Sequence, residues 1–269
     1  MAQQTQWQVA GNAAEIYEEY LVPAIFEPWA RDLLDQAAPR LGERVLDVAC
    51  GTGIVARLAA DRVGTSGKVL GVDINPGMTA VARRIAGAAG AEWKEGNATA
   101  LPLPDGSFDL VTCQQGLQFF PDRLTALREM HRVLTPTGRI ALASWRSIQH
   151  SPGFLALAEA LAKWASPDVA AIAYGPFALC EEDELGSLLA AAGFRDPSSS
   201  RAGKMLHFPS CEEFVRRYGT GSPLAGHFAS MAPSIRGELI REVAEKLAAH
   251  VSTAGLEFPI EANLAVAYK

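Results

Sequence analysis

Along the first half of the chain, hydrophobic residues alternate between two rhythms. The stretch "ERVLDVAC" (43–50) is apolar on both faces, as a strand in the middle of a parallel sheet must be. "GIVARLAADRVG" (53–64) then places its apolar residues at helical spacing up to a terminating glycine. The unit recurs. "KVLGVD" (68–73) runs into "NPGMTAVARRIAGAAG" (75–90), and "FDLVTCQQ" (108–115) passes through "FFPD" into "RLTALREMHRVLTPTG" (123–138), which feeds "RIALASW" (139–145). A further short strand is expected at "AEWKEGN" (91–97), before the turn-rich "ALPLPDGS". Strands alternating with amphipathic helices imply right-handed crossovers. Residues 40–145 therefore predict about five strands of a doubly wound, mostly parallel α/β sheet.

After Trp145 the pattern becomes helix-rich. "SPGFLALAEALAKWA" (151–165) and "EEDELGSLLAAAGF" (181–194) read as helices, the second with an acidic start and a glycine stop. A sixth strand is expected near "SSSRAGKMLHF" (198–208), then helices at "SCEEFVRRYG" with Ser210 as N-cap and at "SIRGELIREVAEKLAAHV". The alternation in "LEFPIEANLAVAYK" (256–269) predicts a last strand. With no internal repeat and no low-complexity linker, residues 1–269 are expected to form one domain, with helical additions at the N-terminus and between the last two strands.

Composition narrows the partners. At 49% hydrophobic and 20% charged the chain has material for a large core, and a net charge of −6 provides no basic field for a phosphate backbone, so nucleic acid is not expected. The N-terminal stretch lacks the pattern of a secretory signal and no apolar run is long enough to span a bilayer, which predicts a cytoplasmic protein. Cys50, Cys113, Cys180 and Cys211 make no C-x-x-C pair, and the histidines make no H-x-x-x-H set. Free thiols and no metal site are expected, with Cys50 a packing residue beneath a glycine turn.

That turn is the candidate site. Gly51, Gly53 and Ala56 satisfy G-x-G-x-x-G/A, and Asp73 closes the next strand where an acid grips a ribose, so a dinucleotide is admissible on these residues alone. Asp47 lies four positions before Gly51, where a pyrophosphate would pass. At about 4 Å and an effective dielectric near 20, each unit of like charge costs about 4 kcal/mol, and a cationic ligand gains a similar amount. Asp47 therefore argues for a cationic, phosphate-free nucleoside.

"VLDVACGTG", "VLGVDINPGM", "EGNATALPLPDGSFDLV", "CQQGLQFF" and "EMHRVLTPTGRIALASW" resemble, in order, the motifs of class I S-adenosylmethionine-dependent methyltransferases, most of all the branch of ubiquinone/menaquinone C-methyltransferases. The resemblance implies a Rossmann-like, seven-stranded, mostly parallel sheet with an antiparallel last strand. It divides the chain into an N-terminal helical lid (1–39), a cofactor-binding core (40–145), and remaining strands with a helical substrate cap (146–269). It implies Asp47, Gly51, Thr52 and Gly53 around the methionine moiety, with Gln114 near it, and Asp73 on the ribose hydroxyls. Ile74 and Met78 would wall the adenine, and Asn97 with Ala98 would read its amino group, Asn97 through its carbonyl. Gln115 and Gln118 in the amide-rich "CQQGLQ" depart from the usual pattern, and their role is open. Plainer readings stand beside these: a tight turn at Gly51 and Gly53, caps at Asp73 and Asn97, a turn at Asp105–Gly106, a structural His131, and core packing for Trp7 and Trp145.

Methyl transfer from a sulfonium is a direct displacement, needing approach geometry, desolvation and, for some acceptors, a base. His150, just past the fifth strand, is the candidate base or ligand. Tyr17 and Tyr20, spaced for one side of a lid helix, are acceptor-side candidates together with Gln118 and Phe119. The expected reaction is methylation of carbon, oxygen or nitrogen in a small apolar or aromatic acceptor. An NAD-linked oxidoreductase and a catalytically silent S-adenosylmethionine-binding protein are the alternatives, and the acceptor and oligomeric state stay open.

Overall fold

The computed structural model describes residues 11–86, 90–179 and 181–269; Trp7 and Cys180 lie outside them. The chain begins with a helical rod made of α1 (Ala13–Ile16), a π-helical stretch (Tyr17–Phe26) and α2 (Glu27–Ala37). Next come β1 (Arg44–Val48), α3 (Ile54–Val63), β2 (Lys68–Asp73), α4 (Pro76–Ala86), β3 (Ala91–Glu95), β4 (Phe108–Gln114), α5 (Arg123–Val133) and β5 (Leu134–Trp145). The second half adds α6 (Pro152–Trp164), α7 (Pro167–Tyr174), α8 (Glu182–Ala191), β6 (Arg195–Phe208), α9 (Cys211–Gly221), α10 (Ala225–Ser230), α11 (Pro233–Lys246), β7 (Val251–Ser252) and β8 (Gly255–Tyr268).

The strands line up as β3-β2-β1-β4-β5-β8-β6. Pairings among the first five are parallel, whereas β8 runs antiparallel to both β5 and β6. Seven strands follow this path with an antiparallel last strand, as expected. An eighth, the two-residue β7, folds back on β8 across a turn in which Gly255 adopts a φ of +121°, a reversal too short to register as a hydrophobic pattern. Alternate residues of β1 and β4 face opposite cores: Val45 and Leu110 pack under α2, α3 and α6, while Leu46 and Val111 pack under α5 and α8. β8 is buried along most of its length, whereas Asp196–Arg201 of β6 are exposed and polar, which suits an edge strand.

Three local expectations shift. The helix after "FFPD" stops at Val133, because Leu134 already pairs with Phe108, and it is capped at its start by Asp122, which accepts from Thr125 N–H. α7 and α10 are short helices that the pattern did not mark. The N-terminal rod is π-helical where Pro23 removes a donor from the ladder, so Tyr17 and Tyr20, three residues apart, do not share a face. Ser210 does cap α9, accepting from Glu213 N–H at 3.1 Å.

Candidate functional site

β1 and β4 are neighbours in the sheet yet carry crossovers running to opposite sides, and the crevice at their carboxyl ends is the position where open α/β sheets take ligands. Both strands end in a non-glycine residue of left-handed backbone, Ala49 (φ +57°) and Gln115 (φ +54°), and Gly116 lets the two ends close up. A Cβ on Gly116 would stand 2.6 Å from the Ala49 methyl. The cavity that opens above them is floored by this glycine turn and roofed by the N-terminal rod.

The turn is built from the two acids outward. Asp73, at the end of β2, accepts from Gly51 N–H through Oδ2 and from Asn75 N–H through Oδ1, each at 2.8 Å. Burial raises its pKa, and these backbone donors hold it back. Asp47 is 1% exposed and accepts from the Thr112 hydroxyl at 2.9 Å, while its Oδ2 is buried without a partner. Desolvation pushes Asp47 up to about 7, and the nearby Asp73 carboxylate adds to the rise. Asp47 is therefore not the fixed negative charge expected from the sequence, but a carboxyl only partly ionised near neutral pH. Burial and both acids push the Cys50 thiol up as well, so it is a packing group.

Gly51 lines the cavity, and a Cβ there would touch only the Tyr17 ring at 3.9 Å. Gly53 does not line it: at φ +89°, a Cβ would stand 2.1 Å from the indole of Trp93, which also presses on Gly71. Its glycine requirement is set by tertiary packing. Thr52 is also walled off, 1% exposed, though its carbonyl accepts from Arg57, whose other arm pairs with Glu18 of the rod at 2.7 Å. Ile74, Met78, Asn97 and Ala98 do line the cavity. The Asn97 carbonyl, however, already accepts from Thr99 N–H (3.0 Å) and Thr99 Oγ1 (2.9 Å), so the turn-cap role is the one it fills and only its NH₂ remains to offer.

Tyr17, Gln114, Gln118 and Phe119 reach the cavity, whereas two other candidates do not. The Tyr20 ring lies beneath the Arg217 guanidinium, 4.6 Å from its centroid, because the π-helical turn swings it toward α9. His150 sits in a short 3₁₀ turn after β5, with Nδ1 3.7 Å from Glu261, and does not line the cavity. Neither is placed to meet an acceptor.

The wall facing the acids is aromatic and was not marked as a site in the sequence: Phe26, Trp145, Phe154, Phe177 and Tyr218. Phe154 holds it together, with ring centroids 5.0 Å from Tyr218, 5.5 Å from Phe214 and 5.7 Å from Phe177. The available signal was helical spacing: Phe214 and Tyr218 are four apart on one face of α9. Burial raises the Tyr17 and Tyr218 hydroxyls above the usual phenol range, so both stay protonated. Among the described residues no group of three or more His, Cys, Asp or Glu is placed to hold a metal ion, and no helix is long and apolar enough to cross a membrane.

Comparison with known proteins adds the following. Residues 46–142 match the family model described as a methyltransferase domain. The chain is 40% identical over 138 residues to a ubiquinone/menaquinone biosynthesis C-methyltransferase of Xanthomonas campestris pv. campestris, covering 50% of this chain and 54% of that protein. It is 43% identical over 116 residues to a demethylmenaquinone methyltransferase of Thermus thermophilus, covering 42% and 52% respectively. The chain thus spans about half the length of the curated relatives it matches. Its fold is similar to the crystal structure of a SAM-dependent methyltransferase from Aquifex aeolicus, with a TM-score of 0.54 and 23% identity over 69% of this chain and 90% of that one.

Proposed function

We propose, from the match of residues 46–142 to a methyltransferase-domain model, that the protein transfers a methyl group from S-adenosylmethionine to carbon, oxygen or nitrogen of a small, apolar acceptor with an aromatic ring. The observation that carries this reading is the cavity itself, lined by the buried Asp47 and the half-buried Asp73 together with a set of aromatic rings.

The residues present fit S-adenosylmethionine. Asp47 Oδ2 and Gln114 Oε1 are buried acceptors without partners, suited to an ammonium group. The Asp73 carboxylate accepts from backbone N–H groups, Gly51 and Asn75 among them, and its two oxygens, with about four lone-pair sites, keep capacity for a ribose hydroxyl. Ile74 and Met78 offer apolar surface for a purine, and the Asn97 amide offers a donor to a ring nitrogen. A dinucleotide fits less well, since both acids face the same cavity and Trp93 occupies the space beside Gly53.

S-adenosylmethionine supplies a methyl group already activated on a sulfonium. The chain's part is to hold both reactants in line and keep water out. The Glu18–Arg57 pair, 18–19% exposed, fastens the rod over the turn, and Phe119, Phe154 and Phe177 confine a flat acceptor. Tyr17 and Tyr218, held protonated, orient by donating hydrogen bonds and do not act as bases.

Calorimetry with S-adenosylhomocysteine tests the proposal. Micromolar binding is expected, with a loss of about 100-fold in Asp73→Ala, which removes two ligand contacts and the anchor of Gly51. No binding, or equal binding by the variant, contradicts it. Release of S-adenosylhomocysteine from a library of aromatic acceptors separates an enzyme from a silent binding protein.

A further inference from the structure

The carboxyl end of β4 brings three amide side chains to a cavity that is otherwise largely apolar, and the backbone fixes the orientation of two of them. Gln114 Nε2 donates to the Phe26 carbonyl at 3.0 Å, and Gln118 Nε2 donates to the Gln115 carbonyl at 2.9 Å. A carbonyl only accepts, so each amide must turn its NH₂ toward the protein and leave its oxygen over. Both oxygens are buried and without a partner.

Gln115 goes further. It is 7% exposed, yet neither its Nε2 nor its Oε1 has a partner. Its backbone is held in the left-handed region at φ +54°, with N–H donating to the Ala143 carbonyl of β5 at 2.9 Å and C=O clamped by Gln118. Residues kept in such a conformation cluster at ligand clamps, and a buried unpaired amide is less stable than an apolar side chain of the same shape. A bound molecule that pairs with it removes that deficit.

Resting on the methyl-transfer reading of this cavity, we infer that Gln115 and Gln118 are the specificity-determining pair for the methyl acceptor and select an uncharged ring bearing a free hydroxyl group. Within the Gln115–Gln118 pair the surplus is of acceptors, two amide oxygens against one free NH₂, and a hydroxyl both donates to an amide oxygen and accepts from Gln115 Nε2. Anionic acceptors are disfavoured because Asp47 and Asp73 line the same space and, among the described residues, no Lys or Arg lines it. The aromatic wall takes the flat ring.

The probes are 2-naphthol and 2-methoxynaphthalene, identical in ring system but differing in the free O–H, titrated by calorimetry into the full chain with and without saturating S-adenosylhomocysteine. A preference for the naphthol of ~10-fold or more is expected, falling below ~3-fold in Gln115→Met and in Gln118→Met. S-adenosylhomocysteine affinity stays unchanged in both variants. The melting temperature of Gln115→Met holds or rises, where a structural amide would lower it. Equal affinity for the two naphthalenes, binding of neither, or a preference that survives both substitutions overturns the inference. Failure of S-adenosylhomocysteine to bind overturns the methyl-transfer reading instead, and the naphthalenes titrated alone still decide the subsite.

Discussion

The two walls of the cavity are made in opposite ways. Asp47 and Gly51 are four residues apart, and Asp73 and Met78 five, so the acidic wall is set by strand ends and the tight turns that follow them. Phe26, Phe154, Phe177 and Tyr218 come from four separate helical segments and meet only through packing. All four lie outside residues 46–142, the part that matches the methyltransferase-domain model. The acidic wall stores unpaired polar atoms for a ligand, whereas the aromatic wall is interlocked with the core. One wall can vary its contacts without unfolding the protein, and the other cannot.

The largest expected effect tests the aromatic side. Phe154→Ala removes a ring packed against Phe177, Phe214, Tyr218 and Phe258 and should cost about 3–5 kcal/mol in denaturant unfolding. In the molecules still folded, S-adenosylhomocysteine affinity should change by less than ~3-fold, within the additivity of separate sites. A collapse of both would merge the two walls into one unit.

Next is Gly53, where the sequence and the structure assign different reasons for the same residue. Gly53→Ala adds a Cβ against Trp93 at positive φ and should cost about 2–4 kcal/mol from strain and overpacking together. Trp93→Leu in the same chain should recover the packing part, leaving about 1–2 kcal/mol. Loss of ligand affinity with no loss of stability would return Gly53 to the acidic wall.

The pH dependence comes third. With its folded-state pKa at about 7, Asp47 is mostly protonated at pH 6 in the free protein but ionised in the unfolded chain. A raised folded pKa favours the fold below the unfolded value, and that contribution is lost as pH rises through about 7. A cationic ligand favours the ionised form, so its affinity should run the other way, rising ~10-fold from pH 6 to pH 8 with proton release. Calorimetry in buffers of different ionisation enthalpy measures that release, and a flat profile would detach Asp47 from the ligand. The smallest effect belongs to His150→Ala, for which S-adenosylhomocysteine affinity and methyl-transfer rate should stay within about 2-fold of the unsubstituted protein.

Legibility in the sequence follows the same division. The alternation of strand and helix from 40 to 145 was readable because each element buries a face of fixed period, and the parallel order followed from crossover handedness. Asp47, Gly51 and Asp73 line the cavity because local spacing puts them at strand ends and in the turn that follows, and Met78 reaches it from the first turn of α4. Asn97 lines the cavity, but its side-chain carbonyl closes on Thr99, the turn-cap reading that the sequence also carried, and that local bond competes with a ligand. Tyr20 and His150 do not line the cavity for reasons of tertiary context, one turned by a π-helical stretch that helical spacing does not encode and the other set in a 3₁₀ turn beside Glu261. Tyr218 and Phe154 were unreadable as site residues because nothing in an amphipathic helix says which part of the core adjoins a cavity.

β8 follows in sequence every strand it joins, yet it lies inside the sheet, between β5 and β6. On a ribosome, β1 to β5 and their helices emerge first, and their contacts are mostly among neighbours. β6 then waits without a sheet partner until Gly255–Tyr268 is made, since β8 is the strand it pairs with. Phe258, which touches Phe154, Phe208 and Phe214, arrives with that strand. Biosynthesis therefore delivers the strand ends that carry Asp47 and Asp73 before Phe154, Phe177 and Tyr218, and the packing of these later rings depends on a long-range closure of the kind that folds slowly.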